Sequence, residues 1–202
     1  MRMIKIISVD DHEMISLGLE KVFSETKDIT FFRSCKTTAE LKNFIGQMTP
    51  EETENLLVMV DIKLESENGF ECADFLVEHG IKCLIYTSFC NAGFIVKTLE
   101  HKIRGFLSKN ADKKEMLEAI RAVFRDETYI QKDLIGNMMY ISGIMVTLTK
   151  KERELLDLLG EHLPNEIIAE RLGLSKRSVE NYVSRIFDKF NVKNRYELEK
   201  LL

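Results

Sequence analysis

Five polar side chains follow short apolar runs in the first 125 residues of the chain. Asp10 and Asp11 follow the first run, and Asp61 follows the third. Thr87 follows the fourth run and Lys109 the fifth. In an open sheet of parallel strands, ligands bind at the carboxyl ends of the strands. If these runs are parallel strands, three carboxylates, a hydroxyl and an amine converge on one edge of a sheet.

Each of these side chains also has an ordinary structural role open to it, since an aspartate can cap a helix and a lysine can lie in solvent. Capping alone does not explain polar side chains at all four strand ends. Clustered carboxylates repel one another unless a cation is present, and all-oxygen ligands favour Mg²⁺. An aspartate there can act as a nucleophile and form an aspartyl phosphate. A lysine, a hydroxyl and the metal would then stabilise the phosphoryl group.

The segments that position these side chains alternate between two patterns. Apolar runs rich in β-branched residues begin at residues 4, 29, 56, 82 and 105, and amphipathic helical patterns lie between them. Gly80 and Gly105 stand where helix ends are expected. Five strands alternating with five helices predict an α/β fold, a doubly wound five-stranded parallel sheet covered on both faces.

The last 55 residues show helical patterns only, and predict four short helices. Thr149 and Glu152 form a capping box before the first helix. Pro164 can open the second helix, and Gly173 is expected to end it. The fourth helix is expected to begin at Asn194.

The third of these helices has two distinct faces. Its apolar stripe consists of Val179, Val183, Ile186 and Phe190. The opposite face carries Arg177, Glu180, Asn181, Ser184 and Asp188, with Arg185 on the flank. A helix in the major groove needs polar side chains to read base edges and basic ones to reach phosphates. Spacing alone leaves open both a recognition helix and an amphipathic surface helix of a bundle.

The composition is that of an ordinary globular protein of 202 residues, with 45% hydrophobic and 31% charged residues. No apolar stretch approaches the roughly 20 residues of a membrane span. The four cysteines form no C-x-x-C pair, and reduced thiols in a cytoplasmic protein are expected. The net charge of −4 hides a segment of net +5 over residues 171–195, with seven basic and two acidic side chains. This concentration of basic residues indicates a surface that binds a polyanion.

The motifs SVDDH, VDIKLESENGF, YTS and GFLSKNA stand in the order typical of one family. Residues 1–125 resemble the receiver domain of two-component response regulators, which is flavodoxin-like. The resemblance implies a Mg²⁺ site whose ligands are Asp10 (mostly through water), Asp11, Asp61 and the backbone carbonyl of Lys63. It implies that Asp61 is the phosphoacceptor, that Thr87 and Lys109 contact the phosphoryl group, and that Thr87 and Phe106 switch conformation. Leu64 and Glu65 depart from the usual Met-Pro of receivers.

Residues 146–202 resemble the LuxR-type helix-turn-helix, and the whole chain resembles a response regulator of the NarL/FixJ type. The implied recognition helix is 175–190, with DNA contacts from Lys176, Arg177, Ser178, Glu180, Asn181, Ser184, Arg185 and Lys189. The implied dimerisation helix is 194–202, with contacts from Tyr196, Leu198, Leu201 and Leu202. Two residues depart from the family pattern: Pro164 replaces a small polar cap, and Glu180 stands where a lysine is frequent.

These patterns together predict a receiver domain over 1–125, a linker with a short helix over 126–145 and a DNA-binding domain over 146–202. The expected protein is a cytoplasmic transcription regulator, activated when a sensor histidine kinase phosphorylates Asp61. Its expected partners are double-stranded DNA, a second copy of the phosphorylated chain and RNA polymerase, with no membrane. It is not expected to turn over an outside substrate as an enzyme.

Two other interpretations remain open on the sequence. A phosphohydrolase could use an aspartate nucleophile on a similar sheet, but such enzymes carry D-x-D after the first strand, whereas Asp10 and Asp11 are adjacent. A regulator that works without phosphorylation could use its receiver as an interaction module only. The altered Leu64-Glu65 loop keeps that possibility open, although every reacting group is present.

Overall fold

A computed structural model describes residues 3–65 and 67–201 of the chain. These residues form two compact units, one holding 3–90 and 97–133 and the other 91–96 and 134–201. Within the described residues, no helix is both long enough and apolar enough to span a membrane.

The first unit is built on a six-stranded parallel sheet in the order β2-β1-β3-β4-β5-β6. The strands are β1 (Ile4–Val9), β2 (Ile29–Cys35), β3 (Leu56–Val60), β4 (Lys82–Thr87), β5 (Gly105–Ser108) and β6 (Tyr129–Ile130). The predicted α/β fold class is confirmed, with one strand more than expected. The additional strand is β6, which was not predicted because two residues are too few to show an alternating pattern in the sequence. It is a strand because it pairs with β5.

The helices that accompany this sheet are α1 (Glu13–Ser24), α2 (Thr38–Ile45), α3 (Pro50–Thr53), α4 (Gly69–Glu78) and α6 (Lys113–Phe124). The helix α5 (Ala92–Glu100) is divided, with residues 92–96 in the second unit. The single turn α3 was not predicted. All five residues of β3 are buried, as expected for a central strand covered on both faces. The polar residues that follow the strands are therefore held at one edge of a rigid core.

Two glycines were expected to end helices, and the structure confirms this for Gly80 only. Gly80 has a φ of +69° and follows α4. The prediction for Gly105 is wrong, because this residue lies within β5. A side chain there would overlap those of Leu84 and Val123, so the glycine is needed for close packing of α6 on the sheet. Lys102, with a φ of +60°, follows α5 instead.

The second unit contains α7 (Lys132–Thr147), α8 (Lys150–Gly160), α9 (Asn165–Leu172), α10 (Lys176–Phe190) and α11 (Arg195–Leu201). The four helices predicted after residue 148 are all present. The capping box of Thr149 and Glu152 is formed, and Gly173 ends α9 with a φ of +63°. The helix expected in the linker is longer than predicted, since α7 has 16 residues.

The four cysteines are free thiols, and Cys35, Cys72 and Cys83 are buried. Burial raises the pKa of the Cys72 thiol to about 12. A thiol that stays protonated is a poor nucleophile and a poor metal ligand, so these residues act as small apolar side chains.

Candidate functional site

Asp61 lies directly after β3, and its two carboxylate oxygens are held by different partners. The Thr87 hydroxyl donates to Oδ1 at 2.7 Å, and Lys109 Nζ donates to Oδ2 at 2.6 Å. Asp61 is 3% exposed and Thr87 is fully buried. The structure therefore brings together the three residues that the sequence predicted to meet at the ends of β3, β4 and β5.

Lys109 connects two of the aspartates. Its Nζ lies 2.6 Å from Oδ2 of Asp10 as well as from Oδ2 of Asp61. Burial alone would lower the pKa of Lys109, but the hydrogen bonds to Asp10 and Asp61 outweigh it and hold the pKa above the usual value. The lysine is therefore charged and neutralises part of the negative charge at the strand ends.

Asp11 contributes to the cluster a carboxylate oxygen, Oδ1, that is buried and has no hydrogen-bond partner among the described residues. His12 Nδ1 lies 2.8 Å from this oxygen, which is an ion-pair distance, but without hydrogen-bond geometry. Ligand atoms of Asp10, Asp11, His12 and Asp61 all lie within 4.8 Å of one another. This donor set suits a divalent cation, and the sequence analysis did not include His12 in it.

Gly69, at the start of α4, lies against the backbone of Asp61. A side chain at residue 69 would overlap the backbone oxygen of Asp61 and crowd its carbonyl carbon. The Gly69 N–H donates to the backbone oxygen of Ile62 at 2.9 Å. Only glycine permits this approach, so α4 is packed directly against the backbone that carries Asp61. The sequence analysis missed this residue, although it stands within the ENGF motif.

The mouth of the site lies between the loop after β3 and the loop after β4. Its walls include Lys63, Leu64, Glu65 and Phe89. Lys63 Nζ lies 4.2 Å from the centre of the Phe89 ring. Leu64 is buried, with 8% of its surface exposed. Phe106, the predicted switching aromatic, is fully buried in β5.

The second unit presents α10 much as the sequence predicted. Val179, Ile186 and Phe190 are buried in the core of the unit. The predicted DNA contacts on the exposed side of α10 are Lys176, Arg177, Glu180, Asn181, Ser184 and Arg185, with Ser178 half-buried. Lys176 pairs with Glu166 at 2.6 Å, and the Arg185 guanidinium stacks on the Tyr182 ring at 4.6 Å.

Lys189 differs from the other predicted DNA contacts, because its ammonium is held by a buried carboxylate. Its Nζ donates to Glu152 Oε2 and to the Thr147 backbone oxygen, both at 2.8 Å. Glu152 is 2% exposed. The structure thus gives Lys189 an internal role that its basic character alone did not indicate.

The residues predicted for dimerisation on α11 also differ in accessibility. Tyr196 is 64% exposed and Leu201 is half-buried. Leu198 is 1% exposed and packs in the core, so its side chain is not available to a partner. This is a correction to the predicted contact set, and its cause is that the apolar stripe of α11 faces inward. Leu202 lies outside the described residues.

Two protein-family models match the chain. The response regulator receiver domain matches residues 6–121. The family of bacterial regulatory proteins of the luxR type matches residues 146–201.

Curated relatives resemble the chain over nearly its full length. The transcriptional regulatory protein DesR of Bacillus subtilis is 26% identical over 195 residues, covering 96% of this chain and 94% of DesR. The nitrate/nitrite response regulator protein NarL of Escherichia coli is 26% identical over 205 residues, covering 95% of this chain and 91% of NarL. The DNA-binding transcriptional activator DevR/DosR of Mycobacterium tuberculosis is 27% identical over 206 residues, covering 96% of this chain and 91% of DevR/DosR.

Solved structures share the fold. A complex of the response regulator RcsB with DNA has a TM-score of 0.72 at 17% identity, covering 99% of this chain and 96% of that one. A second structure is RcsB from Salmonella enterica serovar Typhimurium bound to the promoter P1flhDC in the presence of the phosphomimetic BeF₃⁻. It has a TM-score of 0.73 at 18% identity, covering 98% of this chain and 96% of that one.

The receiver fold, the acidic cluster and the helix-turn-helix define a DNA-binding response regulator of transcription. The chain belongs to the response regulators of the NarL/FixJ type, which join a receiver to a LuxR-type helix-turn-helix. The relatives are named as transcriptional regulators, so the family favours a regulator over the phosphohydrolase interpretation.

Proposed function

We propose that this chain is a cytoplasmic transcription regulator whose DNA binding is controlled by phosphorylation of Asp61. One observation carries the proposal: the two oxygens of the buried Asp61 carboxylate are bonded to the Thr87 hydroxyl and the Lys109 ammonium. A hydroxyl and a cation on either side of one carboxylate are the groups that a phosphoryl acceptor requires.

In the transfer step, an oxygen of Asp61 attacks the phosphorus of a phosphohistidine on a sensor kinase, and the bond from phosphorus to nitrogen breaks. Lys109 neutralises the charge that gathers on the phosphoryl oxygens. The Thr87 hydroxyl leaves Asp61 Oδ1 and donates to a phosphoryl oxygen.

The residues that would hold Mg²⁺ are Asp10, Asp11, Asp61 and the Lys63 backbone carbonyl. The bound ion supplies positive charge that polarises the phosphoryl oxygens. The buried Oδ1 of Asp11 supports this assignment, because it has no hydrogen-bond partner among the described residues and its one close contact is an ion pair with the exposed His12.

Movement of Thr87 toward the phosphoryl group displaces its loop, and Phe106 changes position in response. The output is DNA binding through the exposed side of α10, by a dimer that uses the exposed Tyr196 and the half-buried Leu201 of α11. This dimer contacts RNA polymerase at the promoter. Solved structures of RcsB support the DNA-binding part of this proposal, since one is a complex with DNA and another is bound to a promoter in the presence of the phosphomimetic BeF₃⁻.

Intact-mass spectrometry tests the acceptor directly. After treatment with acetyl phosphate and Mg²⁺, the full chain is expected to gain one phosphoryl group. The adduct is expected to be lost in Asp61→Asn and in the presence of EDTA. An adduct that persists in Asp61→Asn would show that another residue is the acceptor, and a wild-type chain without any adduct would favour a regulator that works without phosphorylation.

A further inference from the structure

Gln131 is hydrogen-bonded to the residues on both sides of Leu107 in β5. Its side-chain oxygen accepts the backbone N–H of Ser108 at 2.9 Å, and its own backbone N–H donates to the backbone oxygen of Phe106 at 3.2 Å. The strand β6 ends one residue earlier, at Ile130, which pairs with Phe106. The side chain of Gln131 therefore takes the place of a further strand residue beside β5.

The backbone that Gln131 holds leads directly into the acceptor site. Ser108 is buried, and it precedes Lys109, whose ammonium is bonded to Asp61. On the other side of the strand, the Lys109 N–H donates to the backbone oxygen of Thr87 at 2.8 Å. A buried N–H without a partner is unfavourable, so the segment that carries Lys109 is fixed between β4 and the side chain of Gln131.

Gln131 also borders the helix that leads out of the first unit. It is followed by Lys132, the first residue of α7, and α7 belongs to the second unit from residue 134 onward. One residue therefore has its side chain on the segment of Lys109 and its backbone at the start of α7. A shift of one segment without the other would break the bond to the Ser108 N–H, so the two are expected to move together.

We propose that Gln131 is a positioning residue that transmits the phosphorylation state of Asp61 to α7 through its hydrogen bond with Ser108. This inference rests on the proposed function. When Asp61 carries a phosphoryl group, Lys109 exchanges its contact with the carboxylate for a contact with a phosphoryl oxygen. The backbone before Lys109 shifts, Gln131 follows Ser108, and the start of α7 moves with it.

The test measures how strongly phosphorylation tightens DNA binding in full-length variants of residue 131. A DNA site is selected from a random pool with the phosphorylated wild type, and its affinity is measured with and without acetyl phosphate and Mg²⁺ while intact mass reports the adduct. Gln131→Leu has a side chain of similar size that cannot accept the Ser108 N–H. It is expected to take one phosphoryl group, to keep the affinity of the unphosphorylated chain, and to reduce the gain in affinity on phosphorylation about fivefold, as for the loss of one neutral hydrogen bond.

Two further variants separate this hydrogen bond from general effects of the substitution. Gln131→Glu retains a side-chain oxygen that can accept the Ser108 N–H, so it is expected to keep the wild-type gain in affinity. Gln47→Leu is the matched control, because Gln47 is exposed and follows α2 in the same unit, and its gain is expected to equal that of the wild type. A merely structural role of Gln131 would lower the stability of Gln131→Leu in urea unfolding and leave the gain in affinity unchanged.

Hydrogen exchange of the wild-type chain tests the same link without a substitution. The amides of residues 106–110 and those of residues 129–135 are expected to change their exchange rates together when Asp61 is phosphorylated. This measurement decides the question if Gln131→Leu fails to fold. A change confined to residues 106–110 would overturn the role of Gln131.

The possible results separate the two proposals. A wild-type chain that takes no phosphoryl group, or that binds DNA equally with and without it, overturns the proposed function and this inference with it. If phosphorylation tightens wild-type binding, an unchanged gain in Gln131→Leu or a reduced gain in Gln131→Glu overturns the role of Gln131 and leaves control by Asp61 standing. A folded Gln131→Leu chain that takes no phosphoryl group also overturns it, since the residue would then act on the acceptor alone.

Discussion

Lys189 Nζ lies 2.8 Å from Oε2 of the buried Glu152, and this contact joins the last turn of α10 to the first turn of α8. The same ammonium donates to the Thr147 backbone oxygen at the end of α7. A cation at a helix C-terminus is favourable because it meets free carbonyl groups. Lys189 thus links three helices of the second unit.

This contact predicts a pH-dependent contribution to stability. The hydrogen bond from Lys189, and after it the one from the Thr149 N–H, lowers the pKa of Glu152 to about 2 from its usual 4.5. A lowered pKa in the folded state stabilises the protein above the unfolded pKa, and this stabilisation is lost as the pH falls from about 5 to 2.

Lys189→Met is expected to lower the free energy of unfolding by about 1–3 kcal/mol at pH 7. The difference from wild type is expected to shrink as the pH falls below about 4.5 and to be mostly lost near pH 2, where about half of Glu152 is protonated in the folded protein. The part that remains reflects the bond from Lys189 to the Thr147 backbone oxygen. Urea unfolding at several pH values measures this difference. A difference that stays constant from pH 7 to pH 2 would mean that the Glu152 charge is not involved.

Substitutions of Lys189 and Arg185 are expected to affect the salt dependence of DNA binding differently. Arg185 is exposed on α10, so Arg185→Gln is expected to reduce the slope of log affinity against log salt by about one unit, as for one phosphate contact. Lys189→Met is expected to leave this slope unchanged, because its ammonium is held by Glu152. Binding titrations at four salt concentrations measure both slopes. Equal reductions in the two variants would show that Lys189 leaves Glu152 to bind phosphate.

Glu180 and Asn181 are expected to set base preference, since both are exposed on α10. Asn181→Ala is expected to cost roughly 1–3 kcal/mol on the preferred site and to relax one A·T position, because asparagine can bond an adenine edge through two hydrogen bonds. Glu180→Lys is expected to raise affinity for random DNA and to shift one position from cytosine toward guanine.

Selection on randomised DNA with wild type and both variants decides this prediction. Lys176, a basic neighbour of Glu180 one turn earlier, forms its ion pair with Glu166 at 2.6 Å, and the Glu180 charge contributes only after Glu166 to the raised pKa of Lys176. Identical base preferences in all three proteins would mean that neither side chain reads sequence.

Gly69→Ala is expected to disturb the acceptor, because the added methyl group would overlap the Asp61 backbone oxygen. A loss of about 1–3 kcal/mol in unfolding free energy is expected, together with slower phosphorylation by acetyl phosphate. Gly18→Ala in α1 is the matched control, since a methyl group there would meet no atom within 4 Å. Equal stability of the two variants would contradict the close packing of α4 on Asp61.

The sequence predicted the acceptor site well because its parts lie at strand ends. The carboxyl ends of parallel strands meet at one edge of a sheet, so Asp10, Asp61, Thr87 and Lys109 could be placed together before their distances were known. The contact of Lys189 with Glu152 could not be predicted in the same way. The two residues are 37 positions apart, and no periodic pattern indicates which of several acidic residues a lysine will meet.

The need for glycine at residue 69 was also beyond sequence reasoning. The sequence shows a glycine near the start of a helix, which is compatible with a simple turn. Only the packing of α4 against β3 shows that the absent side chain makes room for the Asp61 backbone.

The central claim is that phosphorylation of Asp61 controls DNA binding, and one titration tests it most directly. A DNA site is first selected from a random pool with the chain treated with acetyl phosphate and Mg²⁺. The affinity of wild type and Asp61→Asn for that site is then measured with and without acetyl phosphate, while intact mass reports the adduct. Phosphorylation is expected to tighten wild-type binding about 5- to 150-fold, the usual range of coupling between two sites, and to leave Asp61→Asn unchanged. A wild-type chain that carries the adduct and binds with unchanged affinity, or an Asp61→Asn variant that responds equally, would contradict the claim.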